Sequence, residues 1–369
     1  MKLSIAKDQL IAGLQAVQNV VGSRTTLPIL SNVLLKGEGD QLQFTATDLD
    51  VTVSCKVDAK VGKDGGTTIP VKRFFSIVRE LQAPEVELDT NDKSVSSLKA
   101  GPSFYKINGI SADEFPPMPE FGESASITIP QEKFKTMLKK TSIAISMDES
   151  RYVLNGVYMS FKSDKLTLVA TDGRRLAMSE EELSAEGGAT GDIIVPTKAV
   201  NELNRLLQNS GDVEIKFTEN QISFELSGEG QQTILLISKL VEGNYPNYKQ
   251  VIPNETKERV TLVRDELHQA LRRAEVMTND KSNSVKLTFG KNNLAITANT
   301  PEVGEGRESI AINYNGPEIS IAFNPGFLMD PLKVLDQDEV FIELNDELSP
   351  GLLRVNGPFL YVLMPMRMS

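Results

Sequence analysis

Asp172-Gly173-Arg174-Arg175 places a carboxylate, a turn-forming glycine and two guanidinium groups side by side. A carboxylate beside two cations could serve a phosphate-ester hydrolase, the acid handling a proton and the arginines clamping a phosphate. That chemistry calls for a second carboxylate cluster or a metal-ligand spacing, and neither accompanies this turn. Other reactive side chains are scarce. Cys55 is the only cysteine and His268 the only histidine. Internal disulfides, thiolate metal clusters, zinc sites and serine- or cysteine-type triads are thereby excluded. Cys55 lies in the alternating run Val51-Thr-Val-Ser-Cys-Lys-Val57 and reads as a buried strand thiol. His268 reads as a helix-surface residue. No Gly-x-x-x-x-Gly-Lys-Ser/Thr loop and no Gly-x-Gly-x-x-Gly is present. Gly228-Glu-Gly230, between two alternating runs, reads as a hairpin turn. No cofactor or metal is expected.

The elements that position the Asp172 turn repeat along the chain. Leu166-Thr-Leu-Val-Ala-Thr171 alternates with period two, as a strand does. Leu42-Gln-Phe-Thr-Ala-Thr-Asp48 echoes it 124 positions earlier, and Leu294-Ala-Ile-Thr-Ala-Asn-Thr300 echoes it 128 positions later. Only the middle copy carries Gly-Arg-Arg. A strand-to-helix pattern also recurs, at Leu3–Leu14, Ile127–Leu138 and Val260–Leu271, with apolar pairs Leu10/Leu14, Phe134/Leu138 and Leu267/Leu271 at i and i+4. Further strand-to-helix turns start at Thr68, Ile194 and Ala322, and alternating strands follow each. The chain therefore predicts six half-units, each a strand, a helix and several strands, with helices at 7–20, 71–81, 131–141, 197–208, 264–276 and 325–335. A repeat this long indicates duplicated domains. Proline-aromatic crossings at 112–121 and 241–253 mark the boundaries, giving domains at 1–121, 122–253 and 254–369.

Charge is unevenly shared. The net charge is −11, but the six predicted helices hold fourteen basic and eight acidic residues, a surplus of six carried by the second, third and fourth. Solvated helix faces would explain this surplus for any one helix. A basic helix surface on an acidic protein also suits a phosphate backbone held on one side and repelled elsewhere. Few aromatics interleave the cations, so base stacking and sequence readout are not indicated. No apolar run nears the roughly 18–20 residues of a membrane span. The start, Met-Lys-Leu-Ser-Ile-Ala-Lys-Asp, meets charge too early for a signal peptide, so a cytoplasmic protein is expected.

Several motifs in order carry a resemblance. They are Thr26-Leu-Pro-Ile-Leu-Ser-Asn32, Ala46-Thr-Asp-Leu49, Arg151-Tyr-Val-Leu-Asn-Gly156, Val169-Ala-Thr-Asp-Gly-Arg-Arg-Leu176, Tyr245-Pro-Asn-Tyr248 and Val362-Leu-Met-Pro-Met-Arg367. Over the threefold repeat, and across essentially the whole chain, they resemble the bacterial DNA polymerase III beta subunit family, the replicative sliding clamps. The resemblance implies an α+β DNA-clamp fold of three repeated domains, each of two βαβββ halves, with helices inside and sheets outside. Two protomers would join head to tail in a ring around duplex DNA, with no catalytic activity. The implied partners are the clamp loader, the DNA polymerase III catalytic subunit, translesion polymerases and repair proteins, each inserting a short linear motif.

Carried over by motif, that peptide site comprises Leu154, Thr171, Gly173, Arg174, Arg175 and Leu176, with Pro246 and Val251 from the second crossing. Val362, Met364, Pro365, Met366 and Arg367 complete it. Methionine and leucine walls would adapt to varied apolar anchors, and the arginines would hold polar groups of the peptide. The residues alone allow a plainer reading, with Asp172-Gly173 an ordinary hairpin turn and Met364-Pro365-Met366 a last strand on the core. Gln250 stands where some members have arginine and Arg174 where others have histidine. Met368-Ser369 extends past the terminal arginine. For DNA, the implied contacts are Arg24, Arg73, Lys133, Lys139, Lys140, Tyr152 and Lys198, with Val153 replacing an aromatic of some relatives. At the protomer joint, Lys99, Phe104, Lys106 and Ile107 would face Val276, Met277, Glu302, Glu305 and Glu308, an acidic run broken by Arg307. A scaffold without DNA contact remains the alternative from another class, and it predicts no preference for circular over linear DNA.

Overall fold

The computed structural model describes residues 1–22, 27–121, 125–162, 164–183, 189–227, 233–279 and 283–367. Arg24, Thr26, Gly228-Glu-Gly230 and Met368-Ser369 lie outside them. The described helices are α1 (Lys7–Val17), α2 (Val71–Glu80), α3 (Gln131–Ser142), α4 (Thr197–Leu206), α5 (Arg264–Glu275) and α6 (Pro325–Val334). Each apolar i, i+4 pair expected to face the core does so: Leu10/Leu14, Phe134/Leu138 and Leu267/Leu271 are all buried. Helix α1 stops at Val17 rather than at 20, and the chain beyond it buries Val20 and Val21 instead.

Every helix directly follows a short strand and precedes three antiparallel strands, so the βαβββ half-unit occurs six times, with one extra strand at Lys60–Lys63. The halves are not independent. In each domain the first strand of one half bonds into the sheet of the other, as Lys2–Ala6 does with Glu85–Thr90 and Gly65–Pro70 with Asn32–Glu38. Ser126–Pro130 with Asp212–Phe217 and Gly191–Pro196 with Gly156–Lys162 repeat the exchange in the middle copy. Neither half can satisfy its own edge without its sister.

The chain forms two compact units, and the division falls within the middle copy. The first unit is chiefly Met1–Lys135 and Lys198–Leu240. It holds a five-stranded sheet, running Lys60–Lys63, Lys2–Ala6, Glu85–Thr90, Val95–Ala100, Ser103–Asn108. Its second sheet has eight strands, because Val51–Asp58 of the first copy pairs antiparallel with Thr233–Lys239 of the middle copy. Helix α1 packs on α2 and on strands Gln41–Thr47 and Val51–Asp58. Gly13 permits that approach, since a Cβ there would sit 2.4 Å from Phe44 Cε2. Phe134 and Phe224 stack at 5.8 Å between ring centres.

Helix α4 fastens the C-terminal end of α1. The last carbonyls of a helix lack intrahelical donors and carry partial negative charge. Arg205 supplies donors to the Gln15 carbonyl (2.9 Å) and the Ala16 carbonyl (2.7 Å), and it pairs with Glu202 at 2.7 Å. Lys198 donates to the Val20 carbonyl (3.0 Å) and pairs with Asp48. Lys239 pairs with Asp50 at 3.0 Å.

The second unit is chiefly Thr136–Ala185, Thr190–Thr197 and Val241–Ser369. Its eight-stranded sheet is closed by Arg175–Glu182 of the middle copy pairing with Phe359–Leu363 of the last. Its four-stranded sheet runs Gly304–Ala311, Asn293–Thr300, Val285–Gly290, Ile319–Phe323. Helix α5 packs on α6 and on Asn293–Thr300 and Gly304–Ala311. Among the described residues no helix is long and apolar enough to cross a membrane.

Glu202 is buried, with a side chain only 11% exposed. Replacing Arg205 by alanine should therefore cost about 3–5 kcal/mol of unfolding free energy, because it strands that carboxylate. Adding Glu202→Gln should recover much of the loss. Urea titration of the single and double variants checks this, and a single-variant effect under about 0.5 kcal/mol would show that the clasp is idle.

Candidate functional site

The turn at Asp172 is closed by its own side chains. The Thr171 hydroxyl donates to the Arg175 carbonyl at 2.6 Å and accepts from the Gly173 amide at 3.1 Å. One Asp172 oxygen accepts from the Arg174 and Arg175 amides at 2.9 and 3.0 Å, and the other accepts from Arg175 Nε at 3.1 Å. Both carboxylate oxygens thus take part in holding the turn. Gly173 has φ +84°, and a Cβ there would lie 2.9 Å from Arg151 Nη1. Arg151 in turn donates to the Asp172 carbonyl at 2.8 Å.

Successive strand residues point to opposite faces of a sheet, and here the turn feeds two different surroundings. Leu176 faces a buried cluster with Val169, Leu352, Leu360 and Val362. Tyr158, Met178, Tyr245, Tyr248 and Ile252 lie half-buried over that cluster. Tyr158 stacks on Tyr245 at 5.0 Å and meets Tyr248 at 5.8 Å. Burial, reinforced by Asp192, pushes the Tyr158 phenol up to about 12, so it is neutral near pH 7. Arg175 faces the other way. Its guanidinium reaches Asp330 of α6 at 2.5 Å and lies 4.3 Å from the Phe327 ring centre. The two arginines differ in setting: Arg174 is exposed, whereas the Arg175 side chain is largely buried against Asp330 and Phe327.

The end of the described chain is zipped to this turn. The Met364 amide donates to the Arg174 carbonyl at 2.9 Å, and the Met366 amide donates to the Ala322 carbonyl at 2.8 Å. Both thioether side chains stay exposed, and Pro365 between them is half-buried. Thr171, Leu154 and Val362 are buried, while Gly173, Pro246, Val251 and Arg367 are exposed. Leu154 ends the 3-10 segment Glu149–Leu154, which lies against Gly243 through Tyr152 and Val153. The exposed apolar side chains of this region are Val251, Met364 and Met366, and the Leu176 cluster is buried. Sequence reasoning missed Met178, Tyr158 and Arg151 as parts of the region. Met178 was discoverable, because the strand period puts it on the Leu176 face.

The expected DNA residues fall into two groups. Arg73 on α2, Lys133 and Lys139 on α3 and Tyr152 are exposed. Lys140 is half-buried, and burial lowers its pKa against the pull of Asp336. Lys198 differs in that its ammonium is held by Asp48 and the Val20 carbonyl.

The expected joint residues lie on or beside two sheet edges, with Val276 and Met277 just after helix α5. On Ser103–Asn108, Phe104 and Lys106 are exposed, with the ammonium 6.0 Å from the ring centre, and Lys99 is exposed on the adjoining strand. Ile107 differs: alternation turns it inward, and it is buried in its own sheet. At or beside the other edge Val276, Glu302 and Glu305 are exposed and Met277 is half-buried. Glu308 is paired with Arg273 at 2.6 Å. A cleft of about 620 Å³ lies beside Ile5, Asp40, Asp58 and Glu85, and one of about 480 Å³ adjoins Lys99 and Phe104. Among the described residues no group of three or more His, Cys, Asp or Glu could hold a metal.

Comparison with known proteins agrees along the whole chain. Models of the DNA polymerase III beta subunit match in order: its N-terminal domain at residues 1–119, its central domain at 128–247 and its C-terminal domain at 249–367. The beta sliding clamp of Chlamydia muridarum is 37% identical over 368 residues, covering 100% of this chain and 99% of that protein. That of Bacillus subtilis is 30% identical over 381 residues, with complete coverage of both. Among solved structures, the DNA polymerase sliding clamp from Bacillus subtilis superposes with a TM-score of 0.94 at 29% identity. The sliding clamp from Bartonella birtlesii, bound to griselimycin, gives 0.92 at 34%, and both cover 100% of each chain. The chain belongs to the DNA polymerase III beta subunit family, the beta sliding clamps.

Proposed function

We propose that this protein works as a head-to-tail homodimeric ring around duplex DNA, holding DNA polymerase III and other replication and repair proteins on the template without catalysing a reaction itself. The three clamp domains are read as 1–121, 122–253 and 254–369, and the site of action as the cytoplasm. The ring rests on one observation, the register of the two sheet joints. The strand after Ala46-Thr pairs so that Val53 opposes Leu236, and the strand after Ala170-Thr pairs so that Ala177 opposes Tyr361. These pairs are equivalent. Val53 and Ala177 lie opposite Ala46 and Ala170 in their hairpins. Leu236 and Tyr361 are reached by identical steps across their sheets, from Ile127 through Ile215 and Phe224, and from Val260 through Ile342 and Leu353.

Among the described residues, one such pair of last-strand edges has no partner strand. Gly306 lies opposite Ala298, and Tyr105 is reached from Leu3 through Leu88 and Leu98. Applying the same rule between two copies sets Tyr105 of one against Gly306 of the other. Lys106 then falls opposite Glu305 and Phe104 opposite Arg307, a charge pair and a cation–π pair. The exposed Val276 and Val303 beside this edge support its burial in an assembly.

Arg73, Lys133, Lys139, Lys140 and Tyr152 are read as residues that face DNA, and the acidic remainder as surface that repels it. A modest surplus favours sliding over arrest. The surface around Leu176, Val362, Val251, Met364 and Met366, rimmed by Gly173, Arg174, Pro246 and Arg367, is read as the site for short motifs of the clamp loader, the replicative polymerase, translesion polymerases and repair proteins. Leu154, Thr171 and Pro365 back it.

Two measurements follow from this reading. Lys106→Glu or Glu305→Lys alone should shift light-scattering mass toward the monomer at micromolar concentration, and the two together should restore the dimer. A wild-type dimer unaffected by either change would mean that the edges meet in another register. Leu176→Asp should abolish binding of a fluorescent peptide carrying a glutamine followed by leucine and phenylalanine anchors, expected at micromolar strength in the wild type. Unchanged affinity would place the site elsewhere.

A further inference from the structure

Arg175 is the least exposed charged member of the partner turn, and what holds it comes from the opposite face of the sheet. Its side chain is 11% exposed. Nε bonds Asp172 and Nη1 bonds Asp330, so one planar guanidinium bridges two carboxylates while its face covers Phe327. The Tyr361 hydroxyl sits 3.4 Å from Nη1 and donates to the Phe327 carbonyl at 3.0 Å. That carbonyl needs an outside donor, because the residue four positions on, Pro331, has no N–H to give it. Helix α6 is thereby docked on the strand below the turn by Arg175 and Tyr361 together.

The chain of contacts runs from this dock to the exposed surface. Asp330 fixes Arg175, Arg175 fixes one oxygen of Asp172, and the other oxygen holds the Arg174 and Arg175 amides. The Arg174 carbonyl then holds the Met364 amide, the first residue of the methionine tail. Asp330 touches none of the exposed residues read as contacting a peptide. Its other oxygen pairs with Lys333 on its own helix at 3.0 Å.

We infer that Asp330, acting through Arg175, is a positioning residue for partner binding: it sets the Asp172–Arg174 turn and, through that turn, the place of Met364 and Met366. This rests on the reading of the Leu176 surface as the partner site. Removing the α6 carboxylate frees the Arg175 side chain to leave Asp172, and the turn and tail lose a fixed position without any peptide contact being deleted.

The test compares Asp330→Ala, Asp330→Asn and a distant control, Lys291→Ala, in the full chain. The probe is the glutamine–leucine–phenylalanine peptide, read by fluorescence anisotropy, alongside hydrogen exchange at the Met364 and Met366 amides. Asp330→Ala should weaken the peptide at least tenfold and raise exchange at both tail amides, while exchange in strands Lys165–Thr171 and Val285–Gly290 stays as in the wild type. Asp330→Asn, which keeps the shape and one oxygen acceptor, should fall between, and it serves if the alanine variant does not fold. Lys291→Ala should change neither readout. The proposal is overturned if either Asp330 variant folds and binds within twofold of wild type with unaltered tail exchange. It is overturned equally if exchange rises uniformly across the sheet, which marks a general loss of stability. Should the wild type itself fail to bind, or Leu176→Asp bind unchanged, the partner-site reading falls and takes this inference with it. Intact wild-type binding that Leu176→Asp abolishes and Asp330→Ala spares would defeat the positioning role alone.

Discussion

The structure depends on backbone pairing between last strands. Each βαβββ half ends on a strand whose outer edge carries unpaired amides and carbonyls, and such an edge pairs with something or must be blunted. In this chain two joints answer that need in one register, Val51–Asp58 with Thr233–Lys239 and Arg175–Glu182 with Phe359–Leu363. Repetition of one joint makes a chain of domains, and the proposed ring uses the same joint once more between two copies. Charge is shared unevenly between the elements, with a net positive surplus on the helices and a net negative charge on the strands and loops.

Two joints built alike nonetheless carry different surfaces. Where the second joint shows Val169, Leu176 and Met178, the first has Thr45, Thr52 and Ser54 at the equivalent positions. Those hydroxyls satisfy one another, Thr45 with Ser54 at 3.2 Å and Thr47 with Thr52 at 2.8 Å, and Gln43 adds a bond to Ser54 at 2.8 Å. A face closed by its own hydrogen bonds offers no apolar anchor to a leucine or phenylalanine. The joints also differ in how they secure the turn. Lys198 reaches Asp48 from α4 in the first, whereas in the second Arg175 reaches out to Asp172 and to Asp330 on α6. The proposed partner surface at the second joint therefore has no apolar counterpart at the first.

Much of this was legible in the residues. The i, i+4 pairs located the helices and the Ala-Thr-Asp echoes located the repeat, because both depend on local periodicity. The exchange of first strands between halves was not legible, since pairing partners far apart in sequence leave no local mark. The Asp48-Leu49 turn was also passed over. Leu49 takes φ +79°, nearly that of Gly173, and a leucine gives no hint of a left-handed turn. The helix surplus was overstated for α4, whose Lys198 and Arg205 are spent on the end of α1. Adjacent arginines look equivalent in sequence, while strand alternation gives Arg174 and Arg175 different surroundings.

The central claim is a closed ring held on DNA by topology, and retention on nicked circular DNA before and after linearisation tests it most directly. The protein, loaded on the circle and passed over a sizing column at physiological salt, should travel with the DNA. It should leave within minutes once a single restriction cut supplies an end. Equal retention on circular and linear DNA would mean ordinary phosphate binding, and no retention on either would mean a scaffold; both results contradict the ring.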